Sequence, residues 1–219
     1  MDWTFIKNYL PLYERATVLT LQIGLLGVLG AIVLGLVCTV IQHHRLFGWK
    51  WIVGSYIEVS RNTPLLIQLF FMYYGLPKLG LQLNAYTCGA LGLTFLGGSY
   101  MAEAFRSGIE SVGQKQEESA LSLGLSKGQC FLYVILPQAI RVSFPAIMAN
   151  VIFLLKETSV FSAISLMDLT FTAKDLIGLY SKTIESLALL VFFYLLILLP
   201  VSLLGALIER RLSYGQFRA

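Results

Sequence analysis

ATVLTLQIGLLGVLGAIVLGLVCTVIQ, residues 16–42, carries no charged side chain. A helix rises about 1.5 Å per residue, so about 20 apolar residues cross the hydrocarbon of a bilayer. This stretch is long enough, and it sets lipid as the solvent for the rest of the chain. Residues 62–77 are charge-free between Arg61 and Lys78. Residues 79–102 are charge-free up to Glu103, with a span expected from near Asn84. Residues 186–208 are charge-free and end at Glu209, Arg210 and Arg211. The segment 142–167 is apolar except for Lys156 and Glu157. A charge at a bilayer centre costs about 2.5–3.5 kcal/mol on insertion scales, so both residues are expected to turn from lipid. The reading is an all-α integral membrane protein, one domain over 1–219. Its five transmembrane helices are expected at about 16–42, 62–80, 84–105, 140–165 and 184–208.

Composition agrees. Of 219 residues, 57% are hydrophobic and 13% charged, about half the charged share of a soluble domain. Mean hydropathy is +0.74. Too few charges remain to solvate a globule, which excludes a secreted domain, a soluble enzyme and a nucleic-acid binder. The net charge of +4 is expected to mark the cytoplasmic side, where Lys and Arg collect. Segments 43–61, 103–141 and 209–219 hold three, four and three of the 16 Lys and Arg, which favours N-out and C-in. The first residues, with Asp2 and Lys7 and no apolar core between them, do not read as a cleaved signal. Cys38, Cys88 and Cys130 match no metal or redox spacing. His43 and His44 are expected at the interface, not on a metal. Residues 47–60, with Trp49, Trp51 and Tyr56, suit an interfacial helix or a loop with aromatic anchors. Gly24, Gly27, Gly30 and Gly35 suit close packing of another helix on the first span.

The longest polar stretch is 103–141. Glu117 to Leu123 reads as a short amphipathic turn set, with Leu121 and Leu123 as apolar contacts. Gly124 suits the left-handed residue that ends a helix. Ser126 suits the N-cap of the next helix, expected to run to Leu136. Pro137 suits the first turn of the following span. The product is a helix, a tight corner and a helix, a knob that could dock into a groove on another protein.

Glu118-Ser119-Ala120, three residues, Gly124, nine residues, then Val134, Ile135, Leu136 and Pro137 resembles the EAA signature of ABC-importer permeases. Ser119 and Val134 are mild departures, and Lys115 stands where the family often has Gly. Arg61-Asn62-Thr63-Pro64-Leu65-Leu66-Ile67-Gln68 resembles the polar amino-acid branch. So do Tyr100, Ala102, Glu103, Phe105, Arg106, Gly108 and Ile109, and Leu155-Lys156-Glu157-Thr158-Ser159, where Asp is usual at position 157. The resemblance covers about residues 16–210.

It implies a coupling loop at about 106–137 between the third and fourth spans, with Glu118, Ser119, Ala120, Gly124, Leu136 and Pro137 as its ATPase-coupling residues. It implies a second permease subunit, identical or homologous, an ABC ATPase pair, and an extracytoplasmic amino-acid-binding protein. No cofactor is expected on this chain; ATP and Mg are expected on the ATPase. The chain would be a transport subunit, not an enzyme, in a bacterial plasma membrane. The residues agree, since no GxxxxGK[ST] loop is present to cradle a nucleotide. Ala120 and Ser119 are small enough for close approach to a groove wall.

Glu103, Lys156, Glu157, Thr158 and Ser159 are the candidates for substrate path or gate. Lys156 and Glu157 point apart on a helix, so each needs its own partner, with Glu103 and Arg106 available. An ion network between helices that touches no ligand is the alternative, and Glu103 with Arg106 suits a boundary pair. A secondary transporter or channel without an ATPase is the competing function; it has no use for a docking knob.

Overall fold

The computed structural model describes residues 1–43 and 48–213. His44, Arg45 and Arg218 lie outside the described residues, as does the side chain of His43. Among the described residues the regular structure is helical throughout. The α-helices are α1 (Trp3–His43), α2 (Trp49–Arg61), α3 (Leu65–Phe70), α4 (Ala85–Ser111), α5 (Gln114–Ser122), α6 (Lys127–Cys130), α7 (Leu136–Glu157), α8 (Leu169–Tyr180) and α9 (Thr183–Ser213). Three helical runs are long and apolar enough to cross a membrane: Trp3–Gln42, Lys127–Ile164 and Thr183–Leu212. Leu65–Leu79 is a shorter apolar run. The chain is an all-helical integral membrane protein.

α4 is the hub, packed by α1 on one side and α7 on another. Glycines set the distance to α1. A Cβ at Gly35 would lie 2.5 Å from Met101 Cβ and 2.9 Å from the Ala102 amide. The first-span glycines therefore serve helix packing, as expected. On the far side of α4, the Asn150 amide donates to the Tyr100 carbonyl at 3.2 Å. Asn84 starts α4 by accepting from the Thr87 amide at 2.8 Å, which is the start its sequence predicts.

α1 begins at Trp3, well ahead of the charge-free stretch. Its first turns pack on α8 and α9 through Phe5 and Tyr13, buried beside Leu176 and Phe193. Tyr13 Oη donates to the Ser186 carbonyl at 2.8 Å, so a polar tip reaches a partner within an apolar seam. Lys182 Nζ donates to Asp2 Oδ2 at 3.0 Å, and the Asp2 amide to Glu185 Oε1 at 2.9 Å. Those long-range contacts, invisible in the local pattern, continue the helix through Pro11.

Two further corrections concern helix continuity. The helix after Ser126 does not stop at Leu136: α6, a π turn at Phe131–Ile135 and α7 form one run. The π turn ends two residues before Pro137. A proline has no N–H for the i→i−4 bond and crowds that carbonyl, and widening the preceding turn accommodates both. The same device recurs at Phe71–Gly75 ahead of Pro77. The second correction is α8, an element that the hydrophobic pattern does not place. α7 passes into a 3₁₀ turn at Thr158–Ile164, and Ser165 takes φ 57°. Asp168 then caps α8, accepting from the Phe171 amide at 2.9 Å.

Of the stretch 47–60, residues 49–60 belong to a helix, not a loop, and residue 47 lies outside the described residues. α2 buries Val53, Ile57 and Ser60, and Tyr56 Oη and Ser60 Oγ both donate to the Phe95 carbonyl, at 2.7 and 3.0 Å. Trp49 and Trp51 remain exposed.

Candidate functional site

The corner expected at Gly124 is present. Gly124 has φ 85°, the left-handed region that a Cβ disfavours. Its amide donates to the Leu121 carbonyl and the Leu125 amide to the Ala120 carbonyl, closing α5. Ser126 caps α6 in a reciprocal box with Gln129: the Gln129 amide donates to Ser126 Oγ at 3.4 Å and Gln129 Oε1 accepts from the Ser126 amide at 2.9 Å.

The faces of the knob differ from the expected ones. Ala120 is 4% exposed and sits with Cys130 and Ile135. Its small size lets α5 lie close on the base of the long α6–α7 run, so it is not at the outer surface. Leu121 and Leu123, expected as apolar contacts, are both exposed, Leu123 to 84%. Glu117, Glu118 and Ser119 are also exposed. Leu136 and Pro137 lie in the first turn of α7, on the helical run that follows the corner. A short amphipathic helix cannot bury both faces at once, and here the alanine face won.

Glu103 does meet Arg106, at 2.9 Å, and also Arg61, at 3.4 Å. Arg106 reaches Glu110 at 3.2 Å. Arg61 lies 5.3 Å above the Tyr100 ring, within cation–π range. Arg61 stands in the Arg61–Gln68 motif, whose other members build the α2–α3 corner. Thr63 Oγ1 donates to the Val59 carbonyl, and Gln68 Nε2 to those of Ser60 and Thr63. The charged chain borders a cavity of about 1250 Å³ between α2 and the ends of α4 and α5, lined by Lys50, Glu58, Glu110 and Glu117. From sequence, Glu103 and Arg106 are available as partners for Lys156 and Glu157. Instead they serve the α2–α3 corner.

Lys156 is exposed and Glu157 half-buried, and neither has an ion pair among the described residues. Thr158 is fully buried: Oγ1 donates to the Leu155 carbonyl at 2.8 Å and lies 3.5 Å from Tyr194 Oη. Ser159 is half-buried beside it. Two residues missed from sequence share this region. Tyr194 Oη also lies 3.4 Å from Thr170 Oγ1. Asp168 is fully buried, with Oδ2 free of any hydrogen bond. Only its position ahead of an apolar periodic stretch, as a possible N-cap, could have signalled it.

Three membrane-length helical runs, two of them packed on α4, and an exposed helix–corner–helix at Gly124 define an integral membrane protein. Residues 16–214 match the family of binding-protein-dependent transport system inner membrane components, and the chain belongs to that family. It is similar to the probable glutamine ABC transporter permease GlnM of Bacillus subtilis, at 34% identity over 97% of this chain and 99% of that one. The glutamine transport system permease GlnP of Escherichia coli K12 is 33% identical over 97% and 98%. The fold superimposes on a crystal structure of an amino acid ABC transporter with histidines, at TM-score 0.90 and 34% identity over 96% and 99%. The MetNI methionine transporter, at TM-score 0.78 and 16% identity, shares the fold.

Proposed function

We propose that this chain is the permease subunit of an ATP-driven importer that forms the path for polar amino acids. The observation that carries this is similarity to glutamine permeases along nearly the full length of both chains. α3 with its π and 3₁₀ turns, and α4, join the three long helical runs to make five spans, N-out and C-in. Spans about 16–42, 62–80, 84–105, 140–165 and 184–208 form the single domain, with 106–137 as its cytoplasmic coupling loop. The exposed face of α5, with Glu118 and Ser119, meets an ABC ATPase that holds ATP and Mg. Ala120, Gly124, Leu136 and Pro137 transmit its motion into the α6–α7 run. A second permease, the same or homologous, completes the path. An extracytoplasmic binding protein delivers the amino acid. Glu103, Lys156, Glu157, Thr158 and Ser159 are the path or gate residues. The membrane is a bacterial plasma membrane.

The test is uptake of labelled amino acids into cells lacking the chain, restored with the native sequence or with Gly124→Pro at equal membrane abundance. Uptake of one amino-acid group with the native chain alone is expected. Equal uptake in all three, with no ATPase or binding protein copurifying, would overturn the reading in favour of a secondary transporter or channel.

A further inference from the structure

α8 hangs between two serines in the left-handed region, Ser165 at φ 57° and Ser181 at φ 55°. Each marks a turn of the chain, one before the helix and one at its end. Between them Leu169, Ala173 and Leu176 press α8 into the core that Tyr13 of α1 and Phe193 of α9 share. The Leu169 amide also donates to Thr20 Oγ1 of α1 at 3.3 Å.

Asp168 stands where α8 begins and is fully buried. Its Oδ1 accepts from the Phe171 amide, while Oδ2 finds no hydrogen bond among the described residues. No ion pair reaches it there either. A buried ionised carboxylate is costly unless it is paired. Lys174, exposed on α8, opposes that cost least of the groups that act on Asp168, and Lys156 and Glu157 are not among them. From α9, Tyr194 lies within reach of the charge.

The elements packed on α8 bring hydroxyls that are already engaged. Thr158 Oγ1 donates to the Leu155 carbonyl, and Tyr194 Oη lies 3.5 Å from Thr158 Oγ1 and 3.4 Å from Thr170 Oγ1. Thr20 accepts from the Leu169 amide, and the Tyr13 hydroxyl is spent on the Ser186 carbonyl. A hard metal cation takes about six oxygens. One free carboxylate oxygen suits a proton.

We propose that Asp168 is a buried proton-binding site that sets how firmly α8 seats on α1 and α9. With a proton on Oδ2 the buried charge is gone and α8 stays down. Ionised, the carboxylate is better solvated when α8 lifts at its serine turns. The N-out, C-in topology puts this end outside, so acidity there tightens α8. Burial, opposed first by the Phe171 amide, pushes the carboxyl up to about 6. A folded value above the unfolded value of about 4 means that the seated state binds the proton more tightly. The gain grows as pH falls through that raised value and is absent well above it. The site goes beyond the permease reading and does not depend on what is carried.

The test is hydrogen exchange of the α8 amides in the purified full chain, taken relative to the intrinsic rate at each pH. Between about pH 7.5 and about pH 5, protection in the native chain is expected to rise about tenfold. Asp168→Asn keeps an oxygen for the Phe171 amide and carries no charge. Its protection is expected to be the same at both values and no lower than that of the native chain at neutral pH. Unchanged protection in the native chain overturns the proton site. A rise retained in Asp168→Asn overturns it as well, because another group then titrates. Protection that follows sodium chloride against choline chloride at fixed pH, and not pH, marks a metal cation instead. Asp168→Ser, a cap without a carboxyl, makes the same comparison where Asp168→Asn does not fold.

Discussion

Arg61 and Glu103 meet at 3.4 Å across the gap between α2 and α4, and the same carboxylate oxygen takes Arg106 at 2.9 Å. One anion shared by two cations ties the α2–α3 corner to the end of the central helix. Both arginines are over two-fifths exposed, so each pair contributes no more than about 1 kcal/mol. Glu103→Gln breaks both pairs and should lower the stability of the purified chain by no more than about 2 kcal/mol, read as a small shift in Tm in detergent. A large fall in Tm would show a structural keystone instead.

The corner at Gly124 separates backbone strain from steric fit. A Cβ there meets nothing within 4 Å, so the cost of substitution is conformational, about 1–2 kcal/mol for a residue that resists the left-handed region. Gly124→Asn should keep most uptake and Gly124→Val should lose most of it, at equal membrane abundance. Equal activity of the two variants would mean that the conformation is not what matters.

Leu123 and Ala120 should behave oppositely. Leu123→Ala removes an exposed side chain and should leave Tm unchanged. It should weaken ATPase copurification about tenfold or more if the leucine buries against the partner, since full burial contributes about 1.5–3 kcal/mol. Ala120→Leu overpacks the contact with Cys130 and Ile135 and should cost about 1–3 kcal/mol in the chain itself. Thermal melts and pull-down of the two variants decide this.

Glycines on one helix face and on an open one make a matched pair. Gly35→Ala forces α1 off α4 against a backbone amide and should reduce folded protein severalfold. Gly54→Ala, in α2 with nothing within 4 Å, should be neutral or stabilise by about 0.5–1 kcal/mol. Fluorescence-detected size exclusion of both variants reads the difference.

The fastening of the first turn depends on pH in a defined direction. The Phe5 amide, then Lys182, hold the Asp2 carboxyl below its ordinary range. A depressed folded value means the contribution is present above the unfolded pKa of about 4 and is lost as pH falls through the folded value. Protection from hydrogen exchange at the start of α1, taken relative to the intrinsic rate at each pH, should fall below about pH 4 in the native chain. In Asp2→Asn that protection should already be low at neutral pH.

The sequence alone determined the solvent of this protein, its helical class and the two ends of the polar knob. Hydrophobic runs, a glycine suited to positive φ and a serine suited to an N-cap are local signals, and local physics reads them. It left undecided which face of each helix is inside. Ala120 rather than Leu121 or Leu123 turned inward, onto Cys130 and Ile135 of the run that follows the corner. Glu103 took Arg61 because α2 folds back on α4 through Tyr56 and Ser60, and Lys156 has no ion pair among the described residues. α1 reached Trp3, and α8 formed behind Asp168, because Tyr13, Phe193 and Leu176 share one core. Such contacts join residues far apart in the chain. Their energy depends on which surfaces the fold brings together, and no local periodicity encodes that.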